Sequence, residues 1–325
     1  MADGVRWGVE VTARTPASSA NLGPGFDSLG LALALYDEVR AEAFRSPDAV
    51  VQVEVEGEGK GAVPLGEEHL VVRSLRAGLA HAGIERAGVG LRLECHNAIP
   101  HGRGLGSSAA AIAVGLVLAR GLLTDPSRLD DEAVFTLATA AEGHPDNASA
   151  ALFGGCTVSW TEEPAGHGAP SGHGALQRAR TVQLRPHPAI SAVVCVPDTE
   201  LATSRARAML PQLVPHADAA FNAGRAALLV QAFTARPDLL LPATQDRLHQ
   251  EQRAPAMPAT AALVRAVRER GGAAVVSGAG PSVLVLGEGE TPLTAVRSAL
   301  LGEGDRLGPW RVMALPLDTT GTVLI

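Results

Sequence analysis

Alternation of apolar and polar side chains with a period of two picks out the strands of this chain. Residues 5–13 align Val5, Trp7, Val9 and Val11, and residues 31–43 and 50–55 repeat the pattern. In 89–96, Val89, Leu91, Leu93 and Cys95 alternate with Arg92, Glu94 and His96. The period becomes helical in 69–83, where Leu70, Leu75 and Leu79 fall near one face, and in the apolar run 109–123. Residues 130–142 predict another helix, opened by acidic side chains where the helix dipole favours them. A strand holding Cys156, Val158 and Trp160 follows.

The second half reads as strands at 181–184 and 191–196, a short helix ending by Pro211, and helices at 218–235, 238–250 and 259–270. Strands 273–276 and 283–286 flank a glycine turn, and helix 292–301 and strand 311–315 close the chain. Such alternation predicts an α+β sandwich. Two stretches break it. Residues 14–30 are too rich in Pro, Gly and Ser for a regular element and predict a loop. Residues 162–178 are rich in Gly, Pro and His without periodicity. They predict a flexible link between domains at 1–165 and 175–325, in which His167 and His173 are linker residues rather than metal ligands.

Between the strand ending at His96 and the helix from Ala109 lies Pro100-His101-Gly102-Arg103-Gly104-Leu105-Gly106-Ser107-Ser108. Strand, glycine loop and helix start bring free backbone N–H groups and the helix dipole onto one point, a geometry that holds anions. Glycines at alternate positions admit a phosphate chain, and Ser107 and Ser108 can cap the helix and offer hydroxyls to phosphate or metal. His101 and Arg103 add positive charge at the rim. An ordinary serine-capped connection is the alternative. A Walker loop is excluded, because the one lysine, Lys60, precedes Gly61 in a Gly-Glu-Gly-Lys-Gly stretch that predicts an exposed hairpin. The dinucleotide fingerprint fails on glycine spacing.

Glu142, His144, Asp146 and Asn147 form the densest polar cluster in an apolar region. Two ligands at His-x-Asp spacing make weak evidence for zinc, whereas Mg²⁺ needs one or two carboxylates and completes its shell with phosphate and water. Glu142, with Ser108 from the glycine loop, is the Mg²⁺ candidate; a polar turn at a helix end is the alternative. Asn21 and Asp27 are either ligand contacts or residues bonding their own turns.

Composition narrows the setting. The chain has 325 residues and a net charge of −7, without basic runs, which argues against nucleic-acid and anionic-membrane binding. No apolar run reaches the ~18 residues of a membrane span, and the N-terminus lacks signal-peptide features. Cys95, Cys156 and Cys195 are odd in number and dispersed, so neither a disulfide frame nor a zinc site is indicated. A cytoplasmic enzyme is expected, and a homodimer stays open.

The segment Pro100-x-x-x-Gly104-Leu105-Gly106-Ser107-Ser108-Ala109 resembles the second motif of the GHMP kinases. Pro16-x-x-Ser19-Ala20-Asn21-x-Gly23-x-Gly25-Phe26-Asp27 resembles the first motif of their homoserine-kinase branch. His144-x-Asp146-Asn147 is similar to the segment bordering Mg-ATP and substrate there, though set closer to the glutamate than in many relatives. Ser277-Gly278-Ala279-Gly280-Pro281-Ser282 resembles the third motif, which backs the phosphate loop. The resemblance implies an N-terminal ribosomal protein S5 domain 2-like domain, a C-terminal ferredoxin-like domain and an active site between them. It implies ATP and Mg²⁺, with phosphorylation of the L-homoserine hydroxyl on the route to threonine. Residues Pro100 to Ala109 would hold the nucleotide. Asn21, Asp27, His144, Asn147, Thr203, Arg207 and Arg253 would line the amino-acid pocket, the arginines on the carboxylate. Asp27 and Asn147 are the catalytic candidates, and no base is assigned. A mevalonate- or sugar-type kinase and a non-catalytic metabolite sensor are the alternatives.

Overall fold

A computed structural model describes residues 4–162 and 177–325. In chain order the first half contains β1 (Glu10–Ala20), β2 (Leu29–Ser46), β3 (Val51–Gly57), α1 (Leu70–His81), β4 (Gly88–Asn97), α2 (Ser107–Leu122), α3 (Asp131–Glu142), α4 (Pro145–Phe153) and β5 (Cys156–Thr161). Then come β6 (Ala179–Leu184), β7 (Ile190–Pro197), α5 (Thr203–Ala208), α6 (His216–Thr234), α7 (Leu240–Ala243), α8 (Gln250–Arg253) and α9 (Pro258–Glu269). β8 (Ala273–Val276), β9 (Val283–Glu288), α10 (Thr291–Glu303), β10 (Trp310–Leu315) and β11 (Val323–Leu324) complete it. The expected domain boundary, with His167 and His173, lies outside the described residues.

The larger sheet runs β11-β1-β2-β4-β3, with β5 on the opposite end of β2 and β6 paired to β5. Strand β2 joins the parts, because its 18 residues pair with β4 over Glu38 to Ser46 and with β5 over Leu29 to Leu31. One apolar core fills the space between this sheet and α1 to α4, with α2 buried along nearly its whole length.

The second sheet is antiparallel, in the order β10-β7-β9-β8. It follows the β-α-β-β-α-β succession of a ferredoxin-like domain. Side-chain alternation sends its two faces into different cores. Val193 and Cys195 of β7 and Val283 and Val285 of β9 pack on α9 and α10. Ala192, Val194 and Val196, with Leu284 and Leu286, join Leu29, Leu31 and Leu33 of β2 and Leu229 and Phe233 of α6. That second core spans both halves of the chain. Among the described residues no helix is long and apolar enough to cross a membrane.

Four local expectations need correction. The first strand begins at Glu10, and Val5 and Trp7 make only isolated bridges. It then runs on to Ala20, through part of the expected loop, because a register shift between Pro16 and Ala17 accommodates the proline and the small residues beyond it bury against β2. Gly57 to Gly61 is no hairpin: β3 and β4 are parallel and α1 makes the crossover. The helix expected over 238–250 breaks after Ala243, since the Asp246 carboxylate accepts from the N–H groups of Leu248 (3.0 Å), His249 (3.0 Å) and Gln250 (2.8 Å) and so starts α8 afresh.

Phe233 is among the largest fully buried side chains and sits where both halves meet. Phe233→Ala is expected to cost about 3–5 kcal/mol, read as a lowered urea midpoint with an unchanged slope. A loss below 1 kcal/mol would show that the shared core does not hold the halves together.

Candidate active site

The loop between β4 and α2 turns three times through left-handed backbone, at Gly102, Gly104 and Gly106 (φ 63°, 75° and 68°). Gly106 itself is the N-cap of α2, and no side chain caps that helix. The expected serine cap is therefore corrected: Ser107 and Ser108 occupy the first helical turn, because the left-handed cap position suits glycine. The helix start thus keeps its backbone N–H groups for a ligand.

Three loops meet here through backbone. Ser18 N–H donates to the Leu105 carbonyl at 3.0 Å, and Gly278 N–H to the Ala20 carbonyl at 3.1 Å. The Ser277 hydroxyl donates to the Gly104 carbonyl at 2.6 Å and lies 2.8 Å from the Ser19 hydroxyl. The Asn21 amide donates to the Gly278 carbonyl at 2.9 Å, while its oxygen accepts from Asp27 N–H at 3.0 Å. Asn21 and Asp27 adopt left-handed φ of 68° and 55°, so the segment carries backbone strain of the kind found at functional loops.

These contacts shape a cleft of about 670 Å³ between the halves. Of the residues expected from sequence, Asn21, Asp27, Gly102, Gly104, Gly106, Ser107, Ser108, Glu142, His144, Asn147, Thr203, Arg207 and Arg253 line it. Pro100, Leu105 and Ala109 are buried beneath the loop. The Arg103 guanidinium turns to the carbonyls of Pro197 (3.1 Å), His101 (2.9 Å) and Asp198 (3.0 Å) and to Glu200 (3.2 Å), tying the loop to the second half. His101 faces an adjacent, mostly apolar cavity with Val63, Leu70 and Val114, which reaches the cleft along Ser107 and Ser108. Asp37 in that cavity accepts from Ala98 N–H (2.7 Å) and Ile99 N–H (2.9 Å), anchoring the loop's entry; burial pushes its carboxyl up to about 6.

At the helix end of the cleft the Ser108 hydroxyl donates to Glu142 at 2.8 Å. Burial raises the Glu142 pKa despite that bond, so its carboxylate lacks adequate compensation. His144 Nδ1 is 2.6 Å from the Asp146 carboxylate, which also accepts from Asn147 N–H at 2.8 Å. Burial disfavours charge on the His144 ring, but the Asp146 bond and the surrounding carboxylates outweigh it and raise its pKa. Asn147 receives the Ser18 hydroxyl on its amide oxygen at 2.9 Å, which leaves its N–H donors for the cleft.

Charge dominates the other wall. Arg207 forms a two-pronged pair with Asp27 (3.0 and 2.7 Å), which raises its pKa. Arg253 is 2% exposed, and burial with the nearby Arg207 lowers its pKa. Phe26 lies between the two guanidinium groups, 5.7 and 5.5 Å away. The reading from sequence missed Ser18, Leu201 and His249 as parts of this site. Only His249 carried a signal, its spacing of four residues from Arg253. No group of three or more His, Cys, Asp or Glu side chains among the described residues is arranged to hold a metal.

The meeting of loops leaves no room at Gly104, where a Cβ would overlap the carbonyl oxygens of Ser277 and Gly280. Gly104→Ala is expected to cost about 2–4 kcal/mol, whereas Gly224→Ala, on an open helix face with nothing within 4 Å, should raise stability by about 0.5–1 kcal/mol. Thermal melts of the two variants should move in opposite directions.

The family model for the GHMP kinases N terminal domain matches residues 69–155, and that for GHMP kinases C terminal matches 220–305. The chain is 49% identical over 316 residues to a homoserine kinase of Streptomyces coelicolor, covering 97% of this chain and 94% of the relative. It superposes on the crystal structure of homoserine kinase from Cytophaga hutchinsonii with a TM-score of 0.78 at 24% identity, over 97% of both chains. The fold is shared more widely: L. major mevalonate kinase, solved with R-mevalonate, matches at a TM-score of 0.66 and 15% identity, over 99% of this chain and 100% of that one. Matching across nearly its whole length, the chain belongs to the homoserine kinases of the GHMP kinase family.

Proposed function

We propose that the protein transfers the γ-phosphoryl group of ATP to the side-chain hydroxyl of L-homoserine, giving ADP and O-phospho-L-homoserine, in the cytoplasm on the route to threonine. One observation carries the substrate assignment: Asp27, Arg207 and Arg253 stand together on the wall facing the glycine loop. A zwitterionic amino acid complements that set, with its ammonium toward Asp27 and Asn21 and its carboxylate toward the two arginines. Mevalonate has a carboxylate but no ammonium, so only the arginine part of that set would engage it.

The glycine loop and the N-terminus of α2 receive the phosphates, and the adjacent apolar cavity takes the nucleoside end. Ser108 and Glu142 fit a Mg²⁺ ion, since a half-buried carboxylate with a raised pKa beside a hydroxyl suits a hard cation whose remaining shell would be phosphate and water. Bound there, Mg²⁺ neutralises charge on the phosphates. The homoserine hydroxyl oxygen forms the new bond to the γ-phosphorus while the bond to the β–γ bridging oxygen breaks, ADP leaves with that electron pair, and the hydroxyl proton is released to solvent as the new bond completes. Positioning and charge neutralisation suffice for such a loose transition state. Asn147, oriented by Ser18, donates toward the reacting oxygens, and His144 and Thr203 border the substrate.

ADP release should require L-homoserine and be far weaker with L-threonine or mevalonate; equal rates with mevalonate would overturn the assignment. Glu142 gives a second test, with a defined sign. Its folded-state pKa is raised, so its contribution to stability is present below the ordinary glutamate pKa and is lost as pH rises toward the folded value. Glu142→Gln without metal should therefore melt no lower than the parent at pH 8. The same variant should lose roughly a hundredfold or more in Mg²⁺-dependent turnover. A lower melting point, or unchanged turnover, removes Glu142 from the metal site.

A further inference from the structure

His249 is entirely buried beneath the cleft, and both ring nitrogens are committed. Nε2 lies 2.7 Å from the Gly23 carbonyl, and Nδ1 lies 3.2 Å from Arg253 Nη1. A carbonyl only accepts and a guanidinium only donates, so the proton sits on Nε2 and the Nδ1 lone pair faces Arg253. That assignment leaves one tautomer and one ring orientation. The Asp246 carboxylate is 3.7 Å from Nε2, but it is occupied by three backbone N–H groups of the turn that starts α8. Phe26 covers the ring at 5.2 Å between centroids. Burial, with Arg253 adding to it, keeps the ring pKa below its ordinary value.

Arg253 Nη1 has a second acceptor in the Gly278 carbonyl at 3.3 Å, the same carbonyl that receives the Asn21 amide. Arg253 Nε, by contrast, is buried without a partner among the described residues. The guanidinium is thus gripped at one corner, by neutral acceptors, and its remaining donors await a ligand. On the opposite side of the ring, Gly23 belongs to the strained loop between Asn21 and Asp27. A single imidazole therefore spans from the arginine to the loop bearing the two polar residues across from it.

We propose that His249 is a positioning residue for the amino-acid substrate: through its Nδ1 lone pair it aims the Arg253 guanidinium, while the Nε2–H bond to the Gly23 carbonyl sets the ring's tautomer. It touches neither substrate nor nucleotide. The proposal rests on the reading that Arg253 receives the substrate carboxylate. It predicts a split between the two substrates that a general loss of packing would not give.

Two substitutions separate the two bonds. His249→Asn keeps an acceptor near the Nδ1 position and loses the bond to Gly23; His249→Gln keeps a donor near Nε2 and loses the acceptor for Arg253. Steady-state kinetics should show the homoserine KM raised at least tenfold in His249→Gln and less than threefold in His249→Asn. The ATP KM should stay within twofold in both. In an Arg253→Leu background, His249→Gln should add no more than twofold, because the group through which it acts is gone. Equal homoserine KM values in the two variants, a parallel rise in ATP KM, or a full further effect without Arg253 would each overturn the proposal. If the parent enzyme does not turn over L-homoserine, the functional reading fails first and the proposal with it. A measurement on the unaltered protein stands apart from folding of the variants: ¹⁵N shifts of His249 should show protonated Nε2 and unprotonated Nδ1 from pH 6 to 8. The opposite tautomer, or an imidazolium, would overturn it.

Discussion

Everything in the cleft depends on the close approach of two loop backbones at Gly104. This glycine of the β4–α2 loop and the turn between β8 and β9 touch through carbonyl oxygens, with the Ser277 hydroxyl bridging them. No side chain fits between. This contact brings a loop from the first half against a hairpin from the second, and the Ala20–Gly278 hydrogen bond joins the end of β1 to both. Backbone contacts of this kind are rigid, and the loop's free N–H groups gain fixed directions from it. The apolar core shared by β2, β7, β9 and α6 supplies the force that presses the loops together.

Once the loops meet, the charges around them follow a consistent logic. Arg207, on the more exposed side, is held by an acid, Asp27. Arg253, almost fully buried, is held by a histidine nitrogen and a carbonyl. A carboxylate partner would have eased the desolvation of Arg253, but it would also have competed with a carboxylate ligand. Neutral acceptors hold the guanidinium in place and leave its charge uncancelled. Glu142 is a half-buried carboxylate whose one hydrogen-bond partner among the described residues is Ser108. Among the described residues both groups are electrostatically incomplete.

The fold alone does not choose the substrate. A mevalonate kinase superposes over nearly the whole chain at 15% identity, so the layers belong to a fold that is not confined to homoserine kinases. The charged wall of the cleft draws Arg207 from α5 and Arg253 from α8 in the second half, set against Asp27 from the first. The lining of the cleft is therefore assembled from both halves of the chain.

Local chemistry made much of this legible in the sequence. Alternation of apolar residues located β3 and β4, and the glycine spacing before Ser107 marked the loop that lines the cleft, because both signals are written within a few neighbouring residues. The polar residues of the first motif and of the segment from Glu142 to Asn147 stood out for the same reason. Tertiary structure alone decided what depends on distant partners. Strand β1 continues through Pro16 and two serines because β2 offers it a bulged register. β6 and β11 join the first sheet although they come late in the chain. A helix stops at Ala243 because Asp246 caps the next one. His249 gained its importance only when the fold placed Gly23, 226 residues away, against its other nitrogen. A side chain's identity is local information, but the partner that fixes its tautomer and direction is supplied by the packing of the whole chain.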